Sequence, residues 1–365
     1  YRIRSFDAIA ANPKDTVEYD HALAAAIARR VEEVGADGRL VVDAQGDICQ
    51  VNLLEKLLVP LLCKLGNLVP EGGIWLNTQR PEWNDANNAL VGHGLSVVTL
   101  CYLRRYVRFL QDLLARETGS FELSDQVNQW VTETAEALGQ LTKPRADGVS
   151  AEARRFAAIE ALGTAAERYR LSVYPDRSFA MKAPRPVSEI AALLEAALSV
   201  IDHSIRFNRR QDGLYHSYNL LKIDGGEALV DTLGTMLEGQ VAALSSGSVA
   251  PDEAVALLEE IFDSDIYRAD QKSFMLYPDR QLSGFLEKNS IPASDIFGID
   301  ILRTMLEAGD ERLIYRDVDG IYRFNADLAT ANALDEGLER VSREYGNALT
   351  DAAPAIRALY EQVFN

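Results

Sequence analysis

The sequence predicts a mainly α fold, an α/α toroid in which helical hairpins form a ring, with one or two short β-hairpins. Apolar residues recur at the spacing of helices along most of the 365 residues. The pattern gives roughly ten to twelve helices with long loops between some of them, which suits such a ring better than a four-helix bundle. No Pro-, Ser- or Gly-rich linker interrupts the chain. We therefore expect a single domain over residues 1–365.

The first helices and a hairpin occupy the N-terminal third of the chain. Residues 19–34 carry an amphipathic helical pattern, and residues 40–51 have the pattern of a short hairpin. Residues 53–68 and 95–115 are the next predicted helices, and the second is apolar around most of its circumference, which indicates burial. The segment between them, residues 70–94, has no helical period. A loop of this length often carries function.

Helical periodicity continues through the rest of the chain. It covers residues 124–141, 150–169, 187–207, 227–245, 250–262, 293–308, 325–345 and 352–364. Ser150 and Ser188 are each followed by an acid in the manner of a helix cap, and Pro251 stands in a first helical turn. Residues 313–324 are strand-like around an Asp-Gly turn that lacks the ligand spacing of a calcium loop, which predicts a second hairpin.

The charge of the chain limits its partners. Lys and Arg total 37 and Asp and Glu total 55, which gives a net charge of −18. DNA, RNA and anionic lipid all need clustered cations, so we expect none of them as a main partner. No stretch reaches the roughly 18 apolar residues of a membrane helix, and no signal peptide opens the sequence. We therefore expect no membrane partner and a cytoplasmic location.

The cysteines and the common motifs indicate neither a metal nor a cofactor. Cys49, Cys63 and Cys101 lie in apolar surroundings without metal-binding spacing, which predicts reduced core residues in a reducing compartment. The sequence has no P-loop, no dinucleotide-binding glycine motif, no nucleophile elbow and no HExxH motif.

The loop from Gly72 to Gly92 has the composition of a sugar-binding site. Aromatic faces stack on pyranose rings, and carboxylates and amides satisfy sugar hydroxyls that would otherwise be buried without a partner. The candidate substrate-binding residues in and beside this loop are Trp75, Arg80, Glu82, Trp83, Asn84, Asn87 and Asn88. Alternatively, Asp85 or Asn88 caps the helix that follows, because Asp and Asn are common at turns and caps.

The residues Trp83, Asn84 and Asp85, in a loop before a helix, resemble the acid-bearing loop of the α/α-toroid glycosidases and glycoside phosphorylases, the glucoamylase-like and cellobiose phosphorylase-like clan. The resemblance is local to this loop, with general helical agreement elsewhere. The signature PEWNDANN over residues 81–88 also resembles a segment of a family of large bacterial proteins. This resemblance implies further domains in a longer chain.

The resemblance to the clan implies that Asp85 is the general acid that protonates the glycosidic oxygen. Glu82 would orient Asp85 or bind a sugar hydroxyl. Two carboxylates at such close range can raise the pKa of one of them, which suits an acid that must stay protonated near neutrality.

An inverting hydrolase also needs a base, about 6.5–9.5 Å from the acid. The clan places this base late in the chain, and Glu238 and Glu287 are the candidates here. Gln240 and Arg280 lie in the same two segments and are expected to bind substrate. A phosphorylase would replace the base and its water with phosphate, which requires a cationic pocket.

The segment 205–219 is the second unusual feature of the sequence. It holds Arg206, Arg209, Arg210, His216, Tyr218 and Asn219, and all of these except Arg209 are candidate substrate-binding residues. The arginines could hold a phosphate, a sugar carboxylate or the acids of the first loop. Alternatively, they complement the end of a helix and form surface salt bridges. His216 suits either a sugar hydroxyl or an internal hydrogen bond.

The leading functional hypothesis is an inverting glycoside hydrolase that acts on an oligosaccharide or polysaccharide, with Asp85 as general acid. A glycoside phosphorylase is the alternative within the same class. The alternative from another class is a non-catalytic helical module that binds glycans or a protein partner.

Overall fold

A computed structural model describes residues 1–42, 45–77, 90–144, 146–176, 181–279 and 283–364. The prediction of a mainly α protein is confirmed, because the chain is 57% helical. The chain divides into two compact units, Tyr1–Asp279 (unit 1) and Arg280–Asn365 (unit 2). The toroid and the single catalytic domain over residues 1–365 stay predictions.

Unit 1 is built mainly from helices. In the described part of the unit they are Phe6–Ala11 (α1), His21–Val34 (α2), Leu53–Leu65 (α3), Val97–Leu114 (α4), Asp125–Thr142 (α5), Ala151–Asp176 (α6), Val187–Phe207 (α7), Leu237–Ser246 (α8) and Pro251–Asp263 (α9). Side-chain caps fix several starts: Asn52 Oδ1 accepts from Glu55 N at 2.9 Å, and Ser96 Oγ accepts from Thr99 N at 2.9 Å. These helices lie close to the predicted ones, except α1, which was not predicted, and α8, which begins later than predicted.

The strands of unit 1 are short and antiparallel. They are Arg2–Ile3 (β1), Val17–Glu18 (β2), Leu68–Val69 (β3), Gly73–Trp75 (β4), Gly94–Ser96 (β5), Ser120–Ser124 (β6), Lys182–Pro186 (β7), Tyr218–Asp224 (β8), Glu227–Thr232 (β9), Tyr267–Arg268 (β10) and Ser273–Phe274 (β11). Five of them form one sheet in the order β3-β4-β5-β8-β9, and the others form pairs. The sheet therefore joins the two ends of the predicted functional loop to segment 205–219.

The predicted helix over residues 227–245 is wrong in its first half. Residues 227–232 form β9, which pairs with β8 from Asp224↔Glu227 onward. Gly225 and Gly226 form the two-residue turn, with φ of 56° and 82°. Positive φ at both positions is the requirement of a type I′ hairpin turn, which glycine meets without strain.

The predicted hairpin over residues 40–51 is reduced to a single bridge between Val42 and Ile48 among the described residues. The second predicted hairpin, in unit 2, is confirmed. Its strands pair from Ile314↔Phe324 to Arg316↔Tyr322.

The main core of unit 1 lies between the long helices. Leu58, Leu100, Leu110, Ile190 and Leu194 are fully buried in one apolar cluster. Trp130 of α5 is buried in the same cluster and stacks on Tyr169 of α6, with ring centroids 4.4 Å apart. Cys101 also lies in this core and Cys49 is half-buried, whereas Cys63 is exposed. The prediction that the cysteines are core residues therefore holds fully for Cys101 alone.

Unit 2 has a core of its own. Its helices are Phe285–Lys288 (α10), Ala293–Phe297 (α11), Asp300–Glu307 (α12), Ala331–Tyr345 (α13) and Asn347–Phe364 (α14), and its strands are Ile314–Arg316 (β12) and Tyr322–Phe324 (β13). Leu302, Met305, Phe324, Leu338 and Ile356 are among its buried core residues. Across the described residues of both units, no helix is long and apolar enough to cross a membrane.

Candidate functional site

The centre of the predicted site lies outside the described residues. Residues 78–89 contain Arg80, Glu82, Trp83, Asn84, Asp85, Asn87 and Asn88, and Arg280 is also outside. The roles assigned to these residues stay predictions. The structure does describe the strands from which the loop departs and to which it returns.

Trp75 anchors the two ends of the loop. It pairs with Leu95 across β4 and β5, and its indole Nε1 donates to Gly92 O at 2.8 Å. The side chain is only 3% exposed. Its ring is therefore part of the core, where it holds the loop ends together rather than presenting a face to a sugar.

Strand β8 brings the second predicted segment beside the loop exit. Tyr218 pairs with Ser96 and Asn219 pairs with Leu95 of β5. A three-residue strand spans about 7 Å between its first and last residues. Tyr218 is thus one short strand length from Gly94, the first β5 residue after the loop.

Tyr218 and Glu238 form the only described contact between a predicted binding residue and a predicted base. The Tyr218 hydroxyl donates to Glu238 Oε2 at 2.7 Å. Burial, followed by this hydrogen bond, raises the pKa of Tyr218, so the hydroxyl keeps its proton. Glu238 lies in the first turn of α8 and is half-buried. Its carboxylate lies beside strand β8 and can accept further hydrogen bonds.

Asn219 and Gln240 are buried, and their side-chain amides donate hydrogen bonds to backbone carbonyls. Asn219 Nδ2 donates to Gly72 O and to Asn208 Oδ1, each at 2.7 Å. Gln240 Nε2 donates to the carbonyls of Tyr215 and Met236 at 2.8 Å. Both side chains are fully buried, so they position strands and turns, and a sugar cannot reach them in this arrangement.

The three arginines of segment 205–219 separate into two kinds. Arg209 pairs with Glu253 at 3.3 Å and Arg210 pairs with Asp212 at 2.8 Å. The hydrogen bond from Arg210 lowers the pKa of Asp212. These two arginines behave as the salt-bridge alternative predicted, whereas Arg206 has no acceptor or acid among the described residues. The arginine left for a ligand is Arg206.

His216 makes an internal hydrogen bond. Its Nδ1 lies 3.0 Å from Leu233 O, a geometry in which the neutral ring donates from Nδ1. Burial lowers the pKa of His216 below its ordinary value of 6.5. The imidazole is therefore neutral at neutral pH, and its structural role accounts for its position.

Glu287, the other predicted base, caps a short helix of unit 2. Its Oε2 accepts from Gly284 N at 2.9 Å, which is the capping interaction expected of an acid in a first helical turn. The carboxylate is exposed. Of the two candidates, Glu238 belongs to the same unit as the strands that carry the loop and contacts one strand of that sheet, β8, through Tyr218.

A second group of charged residues, Glu71, Arg155 and His203, was not predicted. Glu71 Oε2 is 2.5 Å from Arg155 Nη2, and Glu71 Oε1 is 3.3 Å from His203 Nε2. Glu71 has a φ of 65° at the third position of the turn closed by Gly72 N donating to Val69 O. That position favours glycine, so the backbone of Glu71 is strained, a feature that the structure shows and the sequence alone does not.

The comparisons with known proteins concern unit 2. Residues 282–365 match the family model described as GH149 phosphorylase insertion domain 2. The matched range coincides closely with the compact unit Arg280–Asn365. A search of the curated proteins finds no match. The family match shows that residues 282–365 are similar to an insertion domain of glycoside phosphorylases, which are carbohydrate-active proteins.

Proposed function

We propose that this chain acts as part of a glycoside phosphorylase, which cleaves a glycosidic bond of an oligosaccharide or polysaccharide with inorganic phosphate. The match of residues 282–365 to a phosphorylase insertion domain carries this proposal. It favours the phosphorylase over the hydrolase hypothesis, because the description of the family names that chemistry.

In the proposed reaction, Asp85 donates a proton to the glycosidic oxygen. A phosphate oxygen attacks the anomeric carbon from the opposite side, the bond from that carbon to the glycosidic oxygen breaks, and the configuration inverts. The products are a sugar 1-phosphate and a glycan one residue shorter. Glu82, Trp83 and the asparagines of the loop form the frame that binds the sugar.

Phosphate takes the place of the base and its water in this scheme. Glu238 then has no proton to remove, and its carboxylate, held by the Tyr218 hydroxyl at 2.7 Å, suits a sugar hydroxyl. Arg80, in the same loop as Asp85, supplies a cation that attracts phosphate to a chain of net charge −18.

The test is a panel of β- and α-linked oligosaccharides incubated with the full chain, with and without inorganic phosphate. We expect sugar 1-phosphate, detected by ³¹P NMR, only in the presence of both substrates. The Asp85→Asn protein should lose roughly 10²–10⁴-fold in rate, the usual contribution of a general acid. Asp112→Asn, an exposed aspartate in α4, serves as the matched control.

The other outcomes identify the alternatives. Release of free sugar at the same rate without phosphate would establish the hydrolase, with Glu238→Gln expected to abolish it. Binding of glycans without any turnover, unchanged by Asp85→Asn, would establish the non-catalytic module. Full activity of the Asp85→Asn protein would refute both enzymatic hypotheses.

A further inference from the structure

Unit 1 contains a cavity with a volume of about 540 Å³. It is lined by the turn before β4, the C-terminal end of α5, the N-terminal end of α6 and the last turns of α7. The turn that lines the cavity precedes β4, whereas the predicted catalytic loop follows β4 in the sequence. Glu238 is not among the described residues that line it.

The cavity carries an excess of cations. Arg154, Arg155 and Arg206 face one carboxylate, Glu71, beside the imidazole of His203. Three guanidiniums against one carboxylate leave two positive charges without counting the imidazole. On a chain of net charge −18, this local excess marks a site for an anion.

The charged residues divide into an ion pair held by the surrounding backbone, Arg155 with Glu71, and two guanidiniums with donors to spare, Arg154 and Arg206. Arg155 is buried and donates to Pro70 O at 3.0 Å, to Ala228 O at 2.6 Å and to Glu71 Oε2 at 2.5 Å. Its donors are therefore engaged, and it fixes the carboxylate. The backbone of Glu71 is held as well, since its N–H donates to Ser204 Oγ at 3.0 Å and its carbonyl accepts from Asn208 Nδ2 at 2.9 Å.

Arg154 and Arg206 have donors to spare. Arg154 uses Nη2 on the carbonyls of Gln140, Leu141 and Lys143 at the end of α5, while its Nε and Nη1 have no acceptor among the described residues. Arg206 has no hydrogen bond and no ion pair in that part of the chain. Guanidiniums with unoccupied donors bind phosphate oxygens in pairs, with both geometric and electrostatic specificity.

The other residues that line the cavity indicate which chemical group is attached to the anion. Glu71 retains acceptor capacity on both oxygens, and Ser199 adds a hydroxyl, whereas Leu141 and Val200 supply an apolar wall. A bare phosphate would leave most of about 540 Å³ unfilled. None of the described lining residues is aromatic apart from the His203 imidazole, which disfavours a nucleobase because bases bind by stacking on aromatic rings.

We propose that this cavity binds a phosphorylated monosaccharide, with Arg206 and Arg154 on the phosphate and Glu71 accepting from a sugar hydroxyl. The strained turn at Glu71 has a function in this assignment, because it aims a fixed carboxylate at the ligand. The described residues that line the cavity include none of the residues given a role in the proposed reaction, so the existence of the site does not depend on phosphorolysis.

Isothermal titration of the full chain with glucose 6-phosphate tests the proposal, with inorganic phosphate and glucose titrated separately. A phosphate away from the anomeric carbon keeps the probe unlike the product of the proposed reaction. We expect saturable binding of glucose 6-phosphate at one molecule per chain, and weaker binding of phosphate or glucose. Arg206→Ala should weaken binding roughly ten- to a hundredfold, as expected for loss of a charged hydrogen bond.

Two further variants make the result decisive. Arg108→Ala removes an exposed arginine of α4 that donates to Gln111 at 3.0 Å, and should bind as the unaltered protein does. Glu71→Gln should weaken binding of glucose 6-phosphate without weakening that of inorganic phosphate, because it removes an acceptor for a sugar hydroxyl and no positive charge. Absence of saturable binding, or an Arg206→Ala protein that binds equally well, would overturn the proposal. Equal affinity for inorganic phosphate and glucose 6-phosphate would overturn the sugar part of it.

Discussion

The two compact units use their buried polar side chains in different ways. In unit 2, Asn289 donates to Phe324 O at 2.8 Å and accepts from Phe324 N at 2.7 Å, so a side chain completes the edge of a small hairpin. In unit 1, Asn208, Asn219 and Arg155 fix a strained turn at Glu71. The network in unit 2 satisfies backbone groups of its own hairpin, whereas the network in unit 1 holds a carboxylate that lines a cavity.

This difference indicates that the Glu71 network of unit 1, rather than the Asn289 network of unit 2, is the place to look for a functional site. Strain and buried charge persist only where surrounding structure holds them, and they cluster at functional sites. In unit 2, the buried Arg323 pairs with Asp317 at 2.6 Å and donates to the carbonyls of Leu286 and Asn289. The donors of Arg323 therefore bind groups of unit 2 itself. The Arg323 network stabilises the unit that matches the insertion domain and, among the described residues, presents no charged group to a cavity.

The largest expected effect is that of Arg155→Met, which leaves the Glu71 carboxylate without its main partner. Breaking a buried ion pair costs about 3–5 kcal/mol of the free energy of unfolding. Because all three tryptophans, Trp75, Trp83 and Trp130, belong to unit 1, urea unfolding followed by Trp fluorescence reports on that unit. Arg168→Met, on the same helix but 58% exposed, should cost less than about 1 kcal/mol.

Equal losses for the two arginine variants would break the comparison, since the Glu71 network would then be no more important than a surface pair. Amide hydrogen exchange of β12 and β13 in the Arg155→Met protein provides the second control. It should match that of the unaltered protein if the effect is confined to unit 1.

Asn289→Ala should produce the reverse pattern. Loss of both hydrogen bonds leaves the N–H and the carbonyl of Phe324 buried without partners, at about 2–3 kcal/mol. Hydrogen exchange in β13 should accelerate, while the Trp fluorescence transition of unit 1 stays in place. Asn332→Ala is the matched control, because Asn332 is an exposed asparagine of α13. An equal acceleration of exchange in β13 of the Asn332→Ala protein would contradict the role given to Asn289.

Asp310→Asn tests a smaller contribution within unit 2. Its hydrogen bond with Arg312 lowers the pKa of Asp310 to about 2. A lowered carboxyl pKa stabilises the fold above its ordinary value of 3.8, and that stability is lost as the pH falls toward about 2. We expect about 1 kcal/mol at neutral pH, discounted because Arg312 is partly exposed. Hydrogen exchange of α13 in the two proteins should therefore differ at pH 7 and converge near pH 2.

The smallest effect concerns His216 and appears only in mild acid. Because burial lowers its pKa in the folded state, the unfolded chain binds the proton more readily below the ordinary value of 6.5. The stability of unit 1 should therefore decrease as the pH falls below that value. His216→Gln should reduce this decrease in urea midpoints measured at pH 8 and pH 5. His21→Gln, an exposed control, should keep it.

Local patterns were enough for the helices but not for the sheet. The helix over residues 187–207 was predicted with the bounds of α7, because its apolar period and its start are contained in one segment. Strands of two or three residues are too short to show an alternating pattern, and Gly94 pairs with Leu220, far away in the sequence. The hairpin turn at Gly225 and Gly226 was the signal that residues 227–232 are a strand.

The candidate sites show the same limit. The sequence singled out Tyr218 and Glu238 separately, and only the structure joins them. Glu71, Arg155 and His203 each look ordinary in their own segments, because the cavity forms from a turn and helices far apart in the chain. Trp75, Asn219 and Gln240 were chosen by residue type, which does not reveal burial.

The most direct test of the proposed chemistry uses phosphate labelled with ¹⁸O at all four oxygens and a glycan that the full chain cleaves. If phosphate attacks the anomeric carbon, the sugar 1-phosphate must carry all four labelled oxygens, as read by mass spectrometry. Release of free sugar without a labelled sugar phosphate would contradict the phosphorylase assignment and indicate that water is the nucleophile.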